Sequence, residues 1–366
     1  MPLLVLAVTH SPAKAGIAEF AAAAPILFLT LPAGALIDRW NRKRLLVVCD
    51  VIRTVAYASL FLAIAAGHVW FGHILAVVAI DGCGFVFFGV AERTAVKYVV
   101  PDAQLTAALG RNQARQYLAL FAGQPVGGLL YALGRAVPFL FDAVSYAVSV
   151  VSLAFIRARL QGERTRERRR LLHEVREGVA WFWREPFVRT TSLLVMGSDF
   201  TLNALYLVVI VLARERGASP ALIGAMFAFM GVGGIVGSLL ASRLSRLLST
   251  RAVVGTTMCL EASLVPLLFL PGRVTPGIVY GGMFLLHPTW GSVIQAYRLR
   301  VAPDELVGRM QSVATLLALG PVPFGFLGVG FGLEAFGTTP TVLALVALMA
   351  VVATASVASP AVRSAS

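Results

Sequence analysis

The sequence predicts an all-α polytopic membrane protein, and three observations carry that prediction. Of 366 residues, 58% are hydrophobic and only 13% charged, with a mean hydropathy of +0.81, whereas about a quarter of a soluble protein's residues are charged. Apolar segments of roughly 20 residues recur along the chain, each long enough to cross a hydrocarbon layer of about 30 Å. Short polar links separate them, several strongly basic. With no water in the bilayer core, backbone polar groups must be satisfied inside each segment, so helices are the spanning form.

In chain order, residues 2–8 form an apolar run ended by the polar turn Thr9-His10-Ser11-Pro12. The run is too short to span and lacks the basic start of a signal peptide, so it reads as the outer end of a first helix. Eleven full segments follow. Five lie in a first set, 15–37, 45–66, 71–90, 116–133 and 138–156, and six in a second, 190–212, 223–244, 252–270, 277–297, 313–333 and 341–357.

The link between the first two full segments holds Arg39, Arg42, Lys43 and Arg44. Each would cost about 3 kcal/mol at the bilayer centre, so the link lies outside the bilayer, on the cytoplasmic side. A longer link, 157–189, interleaves arginine with glutamate and divides the chain into an N-terminal half, 1–156, and a C-terminal half, 190–366. Within it, Leu171, Leu172, Val175, Val179 and Phe182 fall on one helical face, predicting an amphipathic helix at the membrane interface. This topology places about 25 of the 31 lysines and arginines on the cytoplasmic side and about 5 outside. The net charge of +13 is then topology rather than the mark of a nucleic-acid partner, and anionic lipid headgroups are its natural counterpart.

Cys49, Cys83 and Cys259 are odd in number and sit in apolar segments, which predicts packing residues rather than disulfides or a metal site. There is no phosphate-binding glycine loop and no nucleophile with a base, so neither a cofactor nor enzymatic chemistry is expected. Instead the sequence repeats. Gly34 has a counterpart 203 residues on in Gly237, and Pro101 one 202 residues on in Pro303. Two tandem halves follow. The same offset starts the partner of segment 190–212 about 13 residues before Met1, predicting a truncated first helix and a longer natural gene product.

Gly34, Asp38, Arg39, Arg42 and Lys43 resemble the loop motif G-x-x-x-D-R-x-G-R-[RK] of the major facilitator superfamily. Asn41 replaces the usual glycine, a mild change because Asn tolerates positive φ. Phrases such as Asp50-Val-Ile-Arg53 and Phe139-Leu-Phe-Asp142-Ala-Val-Ser145-Tyr146 are similar to the enterobactin and macrolide exporter branch. The resemblance implies two six-helix halves around a midplane substrate site, with helices 1, 4, 7 and 10 lining it. It also implies conformational switching at Gly34, Asp38, Arg39, Arg42 and Lys43. In the fifth helix Gly123, Pro125, Gly127 and Gly128 resemble an antiporter element whose first glycine is here Gln124, and both a packing kink and a flexing gate fit it. The Arg-centred motif that many drug–proton antiporters carry in the fourth helix is replaced by Ile80-Asp81-Gly82-Cys83-Gly84.

Ionisable residues inside apolar helices are the candidates for function. Asp81, Asp199 and His287 fall on helices 4, 7 and 10, with Glu261 on peripheral helix 9, where it reads as a hydrogen bond to a neighbour. Ser192, Met196, Asp199, Asn203 and Tyr206 form a stripe on helix 7, and Asp81, Phe85 and Phe88 share a face of helix 4. Asp50 and Arg53, one turn apart, are expected to pair. The expectation is a monomeric transporter of the cell membrane that exports a hydrophobic or amphiphilic small molecule, of drug or siderophore class. Export would be driven by protons, with Asp199 and then Asp81 as the coupling carboxylates, or by another ion. The alternative is a truncated, transport-inactive scaffold or binding protein.

Overall fold

A computed structural model describes residues 1–37, 40–95, 98–156, 160, 179–302 and 306–363. The chain divides into two compact units, Met1–Glu167 and Arg168–Ser366. The first contains α1 (Pro2–Thr9), α2 (Pro12–Ile37), α3 (Arg42–Ala65), α4 (Phe71–Ala95), α5 (Asp102–Leu133) and α6 (Val137–Phe155). The second contains α7 (Pro186–Glu215), α8 (Pro220–Leu247), α9 (Thr250–Leu264), α10 (Thr275–Val301), α11 (Val307–Leu319), α12 (Val322–Phe336), α13 (Thr338–Ala358) and α14 (Pro360–Arg363). Among the described residues, nine helical stretches are long and apolar enough to cross a membrane. Helices α5 and α10 are not among them, because polar residues such as Arg115, His287, Gln295 and Arg298 lower their hydropathy.

Local chemistry sets the helix ends. Pro186 and Pro220 occupy first turns, where a missing N–H costs nothing. The side chains of Ser219 and Ser249 cap α8 and α9 by accepting from Leu222 N and Ala252 N. Asn41 caps α3 in the same way, accepting from Arg44 N at 3.0 Å with φ −71°. Its role is therefore capping, not the positive φ expected from the glycine it replaces. The predicted segment 313–333 is two helices, because Pro321 starts α12 and interrupts the ladder after Gly320. Segment 252–270 ends in a 3₁₀ turn, Val265–Phe269.

The predicted interfacial helix of the linker falls mostly on residues 161–178, outside the described residues. Residues 179–184 are helical, and Phe182 is fully buried against Val188, Ala302, Met310 and Ala314. That side chain anchors the start of the second unit to its own core rather than facing lipid headgroups.

Each unit has its own apolar core. In the first, Ala33, Leu45, Leu46, Cys49, Val86, Ala91 and Leu153 join α2, α3, α4 and α6. In the second, Leu194, Val254, Met258, Trp290, Ile294 and Val352 join α7, α9, α10 and α13. The most extensive helix pair is α8 with α10. Hydrocarbon offers no solvophobic drive to associate helices, so close backbone approach through small residues replaces it. A Cβ at Gly233 would collide with the Gly281 carbonyl oxygen, and one at Gly237 with that of Leu285. Thr289 Oγ1 crosses the same seam to donate to Gly237 O at 3.2 Å.

Two substitutions should therefore separate. Gly237→Ala forces the α8 and α10 backbones apart and should destabilise by about 1–3 kcal/mol, the usual cost of overpacking. A Cβ at Gly123 in α5 meets nothing within 4 Å, so Gly123→Ala should be neutral or stabilise by up to about 1 kcal/mol through helix propensity. Thermal unfolding of the two variants in detergent checks the pair, and equal shifts would refute the packing reading of the α8–α10 seam.

Candidate functional site

The second unit gathers three ionisable side chains from three helices. His287 of α10 places Nε2 3.1 Å from Asp199 Oδ1 of α7, and Nδ1 3.7 Å from Glu261 Oε1 of α9. Glu261 is fully buried. Its Oε1 accepts from Ser198 Oγ at 3.1 Å and its Oε2 from Trp290 Nε1 at 2.9 Å. Trp290 also meets the His287 ring edge to face, with centroids 4.6 Å apart. Pro288, inside α10, removes the backbone bond that its nitrogen would give and loosens the helix beside the imidazole.

His287 Nδ1 is buried and has no hydrogen-bond partner among the described residues. At 3.7 Å it faces Glu261 beyond hydrogen-bonding range. With Nε2–H given to Asp199, the Nδ1 lone pair would face the lone pairs of a carboxylate. A proton between them converts that repulsion into attraction.

The predicted stripe on α7 is only partly free for other roles. Ser192 is buried and accepts from Arg298 Nη2 at 2.8 Å, and Thr191 Oγ1 lies 3.2 Å from the same nitrogen. Asn203 donates to the Asp199 backbone carbonyl at 2.8 Å. Tyr206 packs on Phe227 and Phe326. Asp199 reaches His287 and Ser192 reaches Arg298.

The first unit holds a second charge network. Arg53 Nη2 and Nε of α3 lie 2.7 and 2.8 Å from Asp81 Oδ1 of α4. Tyr146 of α6 donates to the same oxygen at 3.2 Å, and its ring lies 4.2 Å from the guanidinium carbon. Asp50, expected to be the partner of Arg53, is 3.9 Å away and takes its close bond, 2.6 Å, from Ser149 Oγ. A cation missing from the α4 sequence is thus supplied by α3, across 28 residues that give no local signal. Phe85 is exposed, whereas Phe88 packs against the first unit's core.

Among the residues expected to switch conformation, Asp38 and Arg39 lie outside the described residues, and Gly34 lies in α2. Lys43 Nζ donates to Ala154 O and Ile156 O at 3.2 and 2.7 Å, satisfying carbonyls at the end of α6. Arg42 donates to Leu160 O at 3.3 Å and lies over Tyr98. Pro125 sits inside α5 with Gly123 and Gly127, where added Cβ atoms would meet nothing, and Gly128 is buried. Tight packing accounts for neither Gly123 nor Gly127.

The sequence matches the profile of the Major Facilitator Superfamily over residues 1–325. The chain belongs to that superfamily. Its members are transporters rather than enzymes, so this chain is a multi-pass membrane protein that acts on small-molecule substrates. The multidrug efflux pump Tap of Mycobacterium tuberculosis (strain ATCC 25618 / H37Rv) is 29% identical over 384 residues, covering 99% of this chain and 88% of that protein. Macrolide efflux protein A of Streptococcus pyogenes is 27% identical over 153 residues, 40% of this chain and 37% of that one. Among solved structures, a bacterial homologue of the human lysosomal transporter Spinster superposes with a TM-score of 0.71 at 13% identity, covering 99% of this chain and 91% of that chain. That likeness shows the superfamily fold.

The Arg53–Asp81 pair yields a further test. Asp81→Asn leaves Arg53 short of countercharge inside the membrane and should destabilise by about 3–5 kcal/mol. The double variant Arg53→Met/Asp81→Asn should cost clearly less than the two single variants together. Additive shifts in a thermal-unfolding cycle would mean that the two side chains do not depend on each other.

Proposed function

We propose that this chain is a secondary active exporter of hydrophobic or amphiphilic small molecules of the drug class, working in the cell membrane as a monomer and driven by protons. Similarity to multidrug and macrolide efflux proteins supports the cargo and the direction. The observation that carries proton linkage is the imidazole of His287 held between Asp199 and Glu261 with one nitrogen unpartnered.

In this reading Asp199 and His287 form the exchange position and Glu261 anchors it. A proton entering between Nδ1 and Glu261 draws α9 and α10 together at that point, and its departure relaxes them. A cationic or polar cargo group reaching Asp199 would compete with His287 for the same carboxylate. Asp81 is the second candidate carboxylate, but Arg53 and Tyr146 already hold it. The basic link and the α5 glycines take the switching role that the family implies.

Inside-out vesicles carrying the full chain test this reading, with a panel of cationic, neutral and macrolide-type compounds. Imposed acidification of the vesicle lumen should drive accumulation of at least one compound class. Asp199→Asn and His287→Asn should each lower the driven rate roughly tenfold or more, as the loss of a charge-assisted contact of about 1.5–3 kcal/mol would do. Accumulation by Asp199→Asn at the parental rate, with unchanged pH dependence, would remove Asp199 from the coupling mechanism. No accumulation of any compound by the parent would favour a transport-inactive membrane protein.

A further inference from the structure

Arg298 of α10 is a buried cation that neither charge network uses. It is 5% exposed, and charged side chains are almost never so buried unless paired. Among the described residues no carboxylate lies within ion-pairing distance of it. Nη2 donates to Ser192 Oγ at 2.8 Å and to Thr191 Oγ1 at 3.2 Å, and there its bonds end. Nε is buried without a partner, and Nη1 donates to nothing among the described residues. Of the five N–H donors of a guanidinium, three are left without an acceptor.

The two hydroxyls differ. Thr191 gives its proton to the carbonyls of Phe187 and Val188, at 2.8 and 3.3 Å. Ser192 is fully buried, accepts from Arg298, and gives its own proton to no acceptor among the described residues. A positive charge and a hydroxyl thus meet in one place, with donors left over and no acceptor to receive them. Only an anion answers both the charge and the donors.

Open space lies beside them. Gly291 shares a face of α10 with Arg298, two turns before it, and a Cβ there would meet nothing within 4 Å. Helical side chains lean toward the N-terminus, which carries the guanidinium of Arg298 back along α10 toward Gly291. Because Asp199 meets His287 and Ser192 meets Arg298, α7 and α10 run antiparallel along this face. Met196, half-buried, lies between Ser192 and Asp199 on α7. The surface therefore has a carboxylate at one end and a guanidinium at the other, about 10 Å of helix rise apart, with a thioether between them.

One guanidinium balances one negative charge. A carboxylate brings that single charge and two acceptor oxygens for the free donors, whereas a phosphate dianion would leave a charge unmatched in apolar surroundings. We propose that Arg298 and Ser192 form a carboxylate-binding subsite, and that the molecules this unit takes carry an anionic group on an apolar body, any cationic group being left to Asp199. The purpose of the subsite rests on the transport reading above, but its binding requires neither a proton gradient nor turnover.

The full chain in detergent should be titrated at constant pH with dansylglycine and with dansyl-6-aminohexanoate, each against its methyl ester, by dansyl fluorescence. At least one acid should bind roughly tenfold or more tighter than its ester, the value of a charge-assisted contact. Arg298→Met should abolish that preference and leave the thermal midpoint of the empty protein equal or higher, because it removes an unmatched buried charge. Ser192→Ala keeps the cation and should weaken the acid several-fold without moving the ester, which decides the matter even where Arg298→Met does not fold. A parent that prefers neither acid overturns the proposal, as does a preference that survives Arg298→Met. An acid preference that appears only in Asp199→Asn would also overturn it, since the chain's own carboxylate would then be the occupant. Failure of proton-driven accumulation with the acid preference intact would remove the export reading and leave this subsite standing.

Discussion

A charge in hydrocarbon is tolerated only where a counter-charge or a dense set of hydrogen bonds meets it inside the protein. That requirement organises both units. In the first, Arg53 cannot remain in the membrane without Asp81, and Tyr146 and Ser149 complete the set, so α3, α4 and α6 are fixed to one another by electrostatics as much as by packing. In the second, Glu261 is fully buried and is held by Ser198, Trp290 and His287. The two networks differ in one respect that matters for work. The first is already balanced around its cation, whereas the second leaves a nitrogen of His287 unpartnered beside a carboxylate.

Helices and their approximate extents were legible because bilayer thickness fixes segment length and the cost of exposed backbone fixes the form. Boundaries were less so. Counting apolar residues begins α5 at 116, although the helix runs from Asp102 through Arg111 and Arg115, since a helix does not end where the hydrocarbon does. Segment 313–333 looked continuous because hydropathy is blind to the missing N–H of Pro321.

The site was half legible. Asp199, His287 and Asp81 stand out as ionisable groups in apolar runs, and cost alone marks them. Glu261 was equally visible, and the hydrogen bond to a neighbour expected of it is made by both Ser198 and Trp290. Periphery in a bundle diagram says nothing about the direction of one side chain, and Glu261 points inward with no exposed surface. Partners were not legible at all. Trp290 and Glu261 are 29 residues apart, and Arg53 and Asp81 are 28 apart on different helices. The pairing expected from i, i+3 spacing, Asp50 with Arg53, is present at 3.9 Å, while the shorter contacts of Arg53 go to Asp81, which spacing did not reveal. Sequence spacing reports neighbours on one helix, and membrane charge networks are built between helices.

Gly84 shows how such a network constrains the sequence around it. A Cβ there would lie 2.7 Å from Arg53 Cδ, so the arginine reaches Asp81 by passing through space that any other residue would fill. Flexible side chains ordinarily yield to such intrusion, but this one is anchored at its tip by Asp81 and Tyr146. Positions 53 and 84 are therefore coupled through the space between them. An alanine at 84 is admissible only after the residue at 53 has changed course or shortened, and losing the arginine first leaves Asp81 exposed to the membrane without it.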